Sequence, residues 1–517
     1  MRSTSAGRRA RPSLRAGFAG ISLLLLTTGA ALALSGGGTA GAAASAPHVD
    51  ATTSWTVYHG DPLGTGVDTS GVTFSPPNLA WKSPALDGQV FGEPIEATGR
   101  VFVATESDTI YALAANTGAV LWSTHVGNPV PSGTTQYLPC GDIQPTVGIT
   151  GTPVVDPSRG EIFAVADELV NGAPAHYLVG LNIYTGASEL DQAVDPPDSS
   201  VNPPGNLLQR TGLNLDGGNV VFGFGGNSGD CEPYHGWIVS VPEGGGGVGY
   251  YDTTGSVSNG TQGAVWQGGA GPEVDAGGNI WAATGNGSGS SPYDGSDSVI
   301  ELSQALALKQ FFAPSDWQTD NQQDRDLGSG VPALLSNGTV FQAGKSQRGF
   351  LLNQASLGGV NPGVTTISLC GGAEVDGGNA VQDTTVYIPC QGGVEAVQTS
   401  PSPSVLWTAP NDIGAPPILA GGLVWSISGS TLYGLDPTTG TPVQQVSVGG
   451  EANHFPTPSV GDGLLLAPST DQVYAFSGSA GLPGPPSPPP PAPGNSSYWL
   501  VASDGGNFNF GNAGFHG

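Results

Sequence analysis

The stretch Tyr111-Ala-Leu-Ala-Ala-Asn-Thr-Gly-Ala-Val-Leu-Trp122 decides the fold class, because it reads as an extended strand, a turn at Thr117-Gly118 and a second extended strand. Glycine adopts the positive φ that a tight turn between antiparallel strands requires. The stretch therefore predicts an antiparallel hairpin. Related strand and turn pairs occur further along the chain, at Val179-Gly-Leu181 with Thr185-Gly186 and at Tyr433-Gly-Leu435 with Thr439-Gly440.

This hairpin belongs to a unit that recurs eight times. Each unit carries a β-branched or aromatic pair at Val101-Phe102, Ile162-Phe163, Val221-Phe222, Ile280-Trp281, Val340-Phe341, Val386-Tyr387, Val424-Trp425 or Leu465-Leu466. The pairs are spaced by 61, 59, 59, 60, 46, 38 and 41 residues. Before most pairs a short apolar strand begins at Gly-x-Pro, as at Gly92-Glu-Pro94 and Gly151-Thr-Pro153, although the sixth unit has Ala373-Glu374 instead. Each unit therefore predicts about four short antiparallel strands.

One four-stranded sheet cannot bury both of its faces, whereas sheets arranged around an axis cover one another and protect their edges. The repeat thus predicts an all-β, eight-bladed β-propeller, with seven blades as the second choice. A two-layer sandwich is the competing architecture, but it does not repeat one module eight times. Loops inserted in the first four, longer units are expected to shape one face of the ring.

Composition agrees with an all-β fold and restricts the partners. The 517 residues include 84 Gly and 44 Pro, and both residue types interrupt helices. Because 38% of the residues are hydrophobic and only 10% are charged, the chain has enough apolar surface to form a core. All 41 acidic residues follow position 46 and five of the 13 basic residues precede it, so the remainder carries 8 − 41 = −33. Such a charge disfavours nucleic acid and anionic membrane surfaces as partners.

The ends of the chain predict an export signal and an appended tail. Residues 1–46 have an Arg-rich start, an apolar stretch over 16–34 and a cleavage site at Ala42-Ala43-Ala44; a retained membrane anchor is the alternative. Residues 47–480 form the propeller and 481–497 a Pro-rich linker. Residues 498–517 resemble one copy of a short aromatic and glycine repeat, which either docks on something or is truncated.

Four cysteines in an exported chain predict disulfides. Three pairings are possible. We favour Cys370–Cys390, which brackets one short stretch, and Cys140–Cys231, which joins neighbouring long segments. Metal binding by these cysteines is disfavoured because the chain has no C-x-x-C pair.

Several motifs resemble the pyrroloquinoline quinone (PQQ)-type propellers. In that family the alanine, the Thr-Gly turn and the later Trp of stretches such as 111–122 lock adjacent blades together. Further stretches resemble the secreted branch that includes polyvinyl-alcohol-dehydrogenase-like propellers, over roughly residues 55–480. They are Trp55-Thr-Val-Tyr-His-Gly-Asp61, Tyr234-His-Gly-Trp237, Gly269-Ala-Gly-Pro272, Thr284-Gly-Asn-Gly287 and Asp324-Arg-Asp-Leu-Gly-Ser329 leading to Gly344-Lys345.

The resemblance implies a possible quinone site. Enzymes of the family use an Asp base, a calcium ion held by oxygen ligands, a flat Trp against the quinone and a basic residue that contacts it. The candidates for these roles here are Trp266, Asn286, Asp326 and Lys345, the last as the basic residue, and Asp324 also suits them. The chain departs from those enzymes because none of its cysteines are adjacent and it has no C-x-x-C-H haem attachment. A structural calcium site along Asp320…Asp324-x-Asp326 is a further option, although the spacing is not that of an EF-hand.

The sequence thus predicts an exported propeller that acts as a binding or scaffold module at or outside the cell surface. We expect a monomer that takes a protein, small-molecule or polymer ligand, with no resident cofactor, no nucleic acid and no membrane insertion after signal cleavage. The alternative function is a PQQ- and calcium-dependent alcohol oxidoreductase.

Overall fold

In the computed structural model, the chain forms an eight-bladed β-propeller, as the repeat predicts. The structure describes residues 54–133, 136–141, 143–228, 230–255, 260–289, 292–489, 498–501 and 507–510. The predicted signal peptide therefore lies outside the described residues, as do residues 490–497 of the predicted linker and most of the predicted terminal repeat.

The blades, numbered in chain order of their first strands, are mostly four-stranded antiparallel sheets. The strands of blade 1 are Ile95–Ala97, Arg100–Ala104, Thr109–Ala114 and Val120–His125, and those of blade 2 are Val154–Asp156, Glu161–Val170, Ala173–Asn182 and Ser188–Ala193. The strands of blade 3 are Asn214–Asp216, Asn219–Gly226, Trp237–Pro242 and Gly249–Asp252, and those of blade 4 are Glu273–Val274, Ile280–Ala283, Val299–Leu302 and Leu308–Pro314. The strands of blade 5 are Ala333–Leu334, Thr339–Ala343, Arg348–Asn353 and Thr365–Ser368, and those of blade 6 are Ala380–Gln382, Thr385–Ile388, Glu395–Gln398 and Ser404–Thr408. The strands of blade 7 are Ile418–Ala420, Leu423–Ser428, Thr431–Leu435 and Pro442–Ser447, and those of blade 8 are Ser459–Gly461, Leu464–Pro468, Val473–Ser477 and Asn78–Lys82.

A few shorter elements complete the described chain. Leu207–Leu208 adds to blade 3, Gly359–Asn361 adds to blade 4 as a parallel strand, and two further hairpins pair Val130–Pro131 with Thr146–Val147 and Tyr498–Val501 with Asn507–Phe510. The helices are the α-helix Trp317–Gln322 and the 3-10 turns Tyr58–Gly60, Pro204–Asn206, Gln267–Gly269, Leu327–Ser329 and Cys370–Gly372.

Blade 8 closes the ring by combining the two ends of the propeller. Its three inner strands come from the C-terminal part, and its outer strand Asn78–Lys82 comes from the N-terminal part, paired antiparallel with Val473–Ser477. The sequence repeat does not predict this outer strand, because Asn78–Lys82 precedes the first recognisable unit. Closure therefore depends on contacts between residues about 395 positions apart, as in the pair Leu79 and Phe476.

Tryptophans lock neighbouring blades at three of the interfaces. Trp122, on the outer strand of blade 1, donates its indole N–H to the carbonyl of Ile183 at 3.0 Å, beside the Thr185-Gly186 turn of blade 2. Trp81 does the same with Ala115 at 2.7 Å, and Trp407 with Pro437 at 2.8 Å. This contact is the one that the resemblance to PQQ-type propellers implies.

An N-terminal segment, residues 55–68, crosses the inside of the ring. Its backbone exchanges hydrogen bonds with the first strands of five blades, through Glu96, Val155, Val274, Val381 and Leu419. Because these partners belong to blades 1, 2, 4, 6 and 7, the segment lies around the axis, and the first strands are the innermost ones. We call residues 55–68 the plug.

The plug is held by buried polar contacts. Glu93 accepts hydrogen bonds from the indole N–H of Trp55 and, at 3.0 Å, from the backbone N–H of His59. The rings of Tyr58 and His59 stack with centroids 4.3 Å apart, and the Nδ1 atom of His59 is 2.9 Å from the carbonyl of Asn379. Each of these side chains is at most 4% exposed, so the plug is part of the core.

Candidate functional site

A cavity of about 210 Å³ lies on the ring axis, at the end where the innermost strands begin. Its walls come from blades 1, 3, 4, 5, 6 and 8 and from their connections, which places it at the centre of the ring. The lining residues are Phe91, Ile143, Leu208, Arg210, Gly226, Ser228, Trp266, Gly268, Ser329, Lys345, Asp376, His454 and Phe455. We call it the axial cavity.

Arg210 is a buried cation in the wall of the axial cavity. Its side chain lies between Phe91 and Phe455, with the guanidinium carbon 5.7 and 5.5 Å from the two ring centres, and it donates to the carbonyl of His454 at 3.0 Å. The residue is 6% exposed, and burial lowers the pKa of Arg210 to about 10. Within the described part of the chain, no carboxylate lies within 4.0 Å of its guanidinium.

The four residues that the resemblance singles out lie close together around the axial cavity. Trp266 and Lys345 line it. The Nζ atom of Lys345 is 2.6 Å from an Asp326 oxygen, and the other Asp326 oxygen accepts the backbone N–H of Asn286 at 2.7 Å. The ring of Trp266 approaches the same place, since a Cβ added to Gly285 would lie 2.5 Å from Asp326 and 3.4 Å from Trp266.

Burial sets the electrostatics of this group. Asp326 is fully buried, and desolvation raises its pKa to about 6 although the charge of Lys345 lowers it. The pKa of Lys345 is raised above its usual value because Asp326 and Asp324 outweigh the effect of burial. Lys345 and Asp326 therefore form an ion pair at neutral pH, and the amide oxygen of Asn286 remains buried beside them with no hydrogen-bond donor.

This group fits a quinone with calcium only in part. The amide oxygen of Asn286, which has no hydrogen-bond partner, and the carboxylate of Asp326 are oxygen ligands of the kind that Ca²⁺ prefers. However, Lys345 is already neutralised by Asp326 and so does not face a ligand as a free cation. The cavity of about 210 Å³ is also smaller than the ~300–1,000 Å³ of usual ligand pockets. These two features count against a bound quinone, whereas the oxygen ligands suit calcium.

The disulfides join the favoured cysteine pairs, Cys140 with Cys231 and Cys370 with Cys390. The first pair ties the connection after blade 1 to a loop of blade 3. Both segments reach the axial cavity, through Ile143 and Ser228. This disulfide therefore fixes two parts of the cavity wall to each other.

The acidic segment 320–326 uses its carboxylates in ion pairs. Asp320 pairs with Arg348 at 2.5 Å, while Asp324 and Asp326 lie 3.4 and 2.6 Å from Lys345. Asp320 also lies 3.9 Å from Arg325, so the three carboxylates face three different cations. His235, just before the third strand of blade 3, is 2.9 Å from Asp252.

Sequence reasoning missed Arg210 and its two aromatic neighbours. Arg210 stands alone in the sequence, and Phe91 and Phe455 are more than a hundred residues away from it on either side. The single signal is that Arg210 is one of only eight basic residues after position 46, and it lies just before an inner strand.

Comparisons with known proteins agree with the fold. Residues 55–288 match the family model described as outer membrane protein assembly factor BamB. No curated protein matches the chain. This match covers less than half of the chain, so residues 55–288 are similar to that family, and the likeness of the whole chain to PQQ-type propellers rests on the fold. The likeness to the polyvinyl-alcohol-dehydrogenase branch stays a prediction.

Solved structures with the same fold share little sequence with this chain. Quinohemoprotein alcohol dehydrogenase from Comamonas testosteroni aligns with a TM-score of 0.60 at 14% identity, covering 84% of this chain and 82% of its own. A europium-containing methanol dehydrogenase gives 0.59 at 13%, covering 82% and 98%. BamB from Moraxella catarrhalis gives 0.51 at 14%, covering 78% and 99%. At such identities the likeness shows the fold alone.

The two disulfides are typical of proteins outside the cytoplasm. Among the residues that the structure describes, no helix has the length and apolar character needed to cross a membrane.

Proposed function

We propose that this chain is an exported binding propeller whose axial cavity takes a small planar ligand bearing a carboxylate. The observation that carries the proposal is Arg210, a buried cation that lines the cavity and has no described carboxylate within ion-pair distance. Buried charges are normally paired, so an unpaired guanidinium in a cavity wall favours an anionic ligand. Guanidinium groups bind carboxylates through two parallel hydrogen bonds.

The other walls support a flat, partly apolar ligand. Phe91, Phe455 and Trp266 contribute aromatic surface, and Ile143 and Leu208 add aliphatic surface. Lys345 does not compete for the anion because Asp326 neutralises it. Export and a monomeric state remain part of the proposal, supported by the disulfides and by closure of the ring within one chain.

Binding of benzoate, with neutral benzamide as the matched comparison, tests this proposal by calorimetry. We expect benzoate to bind at least tenfold more tightly than benzamide, and Arg210→Gln to abolish that preference. Arg100→Gln is the control variant, because Arg100 is also 6% exposed and stacks on an aromatic ring, Tyr184, outside the cavity. Equal binding of both probes, or equal effects of both variants, would overturn the proposal.

A second candidate function is quinone- and calcium-dependent alcohol oxidation. The contact of Asn286, Asp326 and Lys345, with the free amide oxygen of Asn286, is the observation that favours it. The test is to add PQQ and Ca²⁺ and to follow quinone absorbance and dye reduction with alcohols. This function would be established if the protein retained the quinone and oxidised alcohols, and if Asp326→Ala or Lys345→Ala removed that turnover. Protein that retains no quinone excludes it.

A further inference from the structure

A second group of buried titratable side chains lies between blades 1 and 2. Its members do not line the axial cavity, although the charge of Arg210 acts on one of them, Glu106. Glu106, Asp108 and Asp167 are 1%, 0% and 2% exposed, and each lies beside Gly148, the first two through their carboxylates and Asp167 through its backbone. Glu106 accepts the backbone N–H of Gly148 at 2.8 Å, and the carbonyl of Gly148 accepts the N–H of Asp167 at 3.1 Å. A Cβ added to Gly148 would lie 2.7 Å from Asp108.

Most oxygens of these carboxylates have no hydrogen-bond donor. Both side-chain oxygens of Asp108, both of Asp167 and one of Glu106 are buried without a partner. Buried acceptors that lack a partner are rare and unfavourable, because they have lost water without a replacement. The cluster therefore needs a positive charge or protons in its midst.

His176 supplies an independent sign of a ligand. It is fully buried, and its Nδ1 atom is 2.8 Å from an oxygen of Asp195. When Nδ1 donates to Asp195, the lone pair of Nε2 is left free, and Nε2 is buried with no hydrogen-bond partner. This Nε2 atom faces Asp167 with an N–O distance of 3.8 Å. A histidine that donates to a carboxylate through one nitrogen and leaves the other free has the arrangement of a metal ligand.

We propose that Asp108, Asp167, Glu106 and the Nε2 atom of His176 bind a divalent metal ion of the Mn²⁺ or Zn²⁺ class between blades 1 and 2. Carboxylate oxygens combined with one imidazole suit these ions, whereas Ca²⁺ prefers oxygen ligands alone. Two ligands that lie ~2.1 Å from one ion are about 3–4 Å apart, as Nε2 of His176 and the Asp167 oxygen already are.

The site closes on the ion rather than being preformed. Within the described residues, the one set of three metal-ligating groups whose atoms all lie within 4.8 Å of one another is Cys370, Cys390 and Glu395, where both sulfurs are in a disulfide. The atoms of the blade 1–2 cluster are more widely spread. Binding therefore requires the carboxylates to rotate inward.

Protons are the competing way to neutralise the cluster. Burial, together with the negative charges of Asp167, Glu168 and Glu106, raises the pKa of Asp108 to about 10. An imidazolium at His176 between Asp167 and Asp195 would complete such a metal-free arrangement. The two explanations differ in whether the protein responds to metal.

The experiment uses the full chain, stripped with a chelator and titrated with Mn²⁺, Zn²⁺ or Ca²⁺ while heat unfolding and bound metal are followed. We expect one equivalent of Mn²⁺ or Zn²⁺ to bind and to raise the midpoint. Asp167→Asn should weaken binding at least 100-fold, and Asp195→Asn, which acts through His176, by about 10–100-fold. His235→Gln, in the other histidine–aspartate pair, is the matched control and should change binding less than twofold.

Heat unfolding of the variants after chelator treatment shows whether a substitution impairs folding or only metal binding. The raised pKa of Asp108 keeps its carboxyl protonated in the stripped protein, so without metal Asp108→Asn should unfold at about the same temperature as the stripped wild type while failing to respond to Mn²⁺ or Zn²⁺. No response of the wild type to either ion, a response to Ca²⁺ alone, or an unchanged response in His176→Gln would each overturn the metal site.

Discussion

His59 shows how a single residue of the plug makes stability depend on pH. Burial lowers the pKa of His59 from 6.5 to about 4, so the folded protein keeps the ring neutral where the unfolded chain takes up a proton. Its contribution is complete above pH 6.5 and is lost as the pH falls towards 4. Between pH 7.5 and 5 we expect the free energy of unfolding to fall by about 2 kcal/mol relative to His59→Asn.

Asparagine is the appropriate replacement in this experiment. The backbone of His59 has a φ of 57°, which Asn tolerates better than most residues, and its amide can donate to Asn379 in place of Nδ1. The buried Glu93, whose pKa burial raises well above its usual value, titrates in both proteins and so largely cancels. Denaturant unfolding at several pH values provides the measurement, and parallel curves for the two proteins would contradict the assigned protonation state.

At the same scale, the sequence located Trp266, Asn286, Asp326 and Lys345, which lie together, but not Arg210. The four belong to stretches that resemble a known family, so their grouping could be inferred without coordinates. The environment of Arg210 arises only when blades 1, 3 and 8 meet at the axis and bring Phe91 and Phe455 against its side chain. No local pattern carries that information.

At the scale of elements, a Trp of one blade and a Gly of the next form a matched contact. Gly186 has a φ of +71°, and an added Cβ would lie 2.7 Å from the ring of Trp122. Gly172, in the same blade, has a φ of +82° with nothing within 4 Å. We expect Gly186→Ala to lower the free energy of unfolding by about 1–3 kcal/mol more than Gly172→Ala, since only the former overpacks an interface. Denaturant unfolding compares the two variants, and equal losses would assign the whole effect to backbone conformation.

The sequence repeat predicted the strands of the blades better than the additional strands that pair at their edges. The eight apolar pairs all fall on the second strands, because these strands are buried on both faces and therefore carry runs of apolar residues. On the outer strand of blade 2, Leu190 stands where blade 1 has Trp122. A Cβ added to Gly245 of blade 3 would lie 3.0 Å from Leu190. The parallel strand Gly359–Asn361 carries no such pattern, because it pairs at an outer edge of blade 4 where one face is open to solvent.

At the scale of the whole molecule, the ring is one cooperative unit only if both ends meet in blade 8. The N-terminal part supplies both the plug and the outer strand Asn78–Lys82, and neither could be read from the sequence, since each pairs with residues far along the chain. Closure inside one chain covers the two sheet faces that the end blades of an open stack of eight would leave exposed. Trp81 anchors the closing strand on blade 1, where a Cβ on Gly118 would lie 2.5 Å from its ring.

Trp81→Ala tests this dependence on closure. Trp81 is 7% exposed, whereas Leu79 in the same strand is 58% exposed, so Leu79→Ala is a matched control. Truncation of a buried Trp costs about 3–5 kcal/mol, and surface changes usually remain within ~0.5 kcal/mol. We expect Trp81→Ala to lower the midpoint of one transition that tryptophan fluorescence and far-ultraviolet circular dichroism report together, because strain at the closure is shared by all blades. Two separated transitions in this variant would mean that blades 1 and 8 unfold apart from the rest, and that the ring is held mainly by neighbouring blades rather than by its closure.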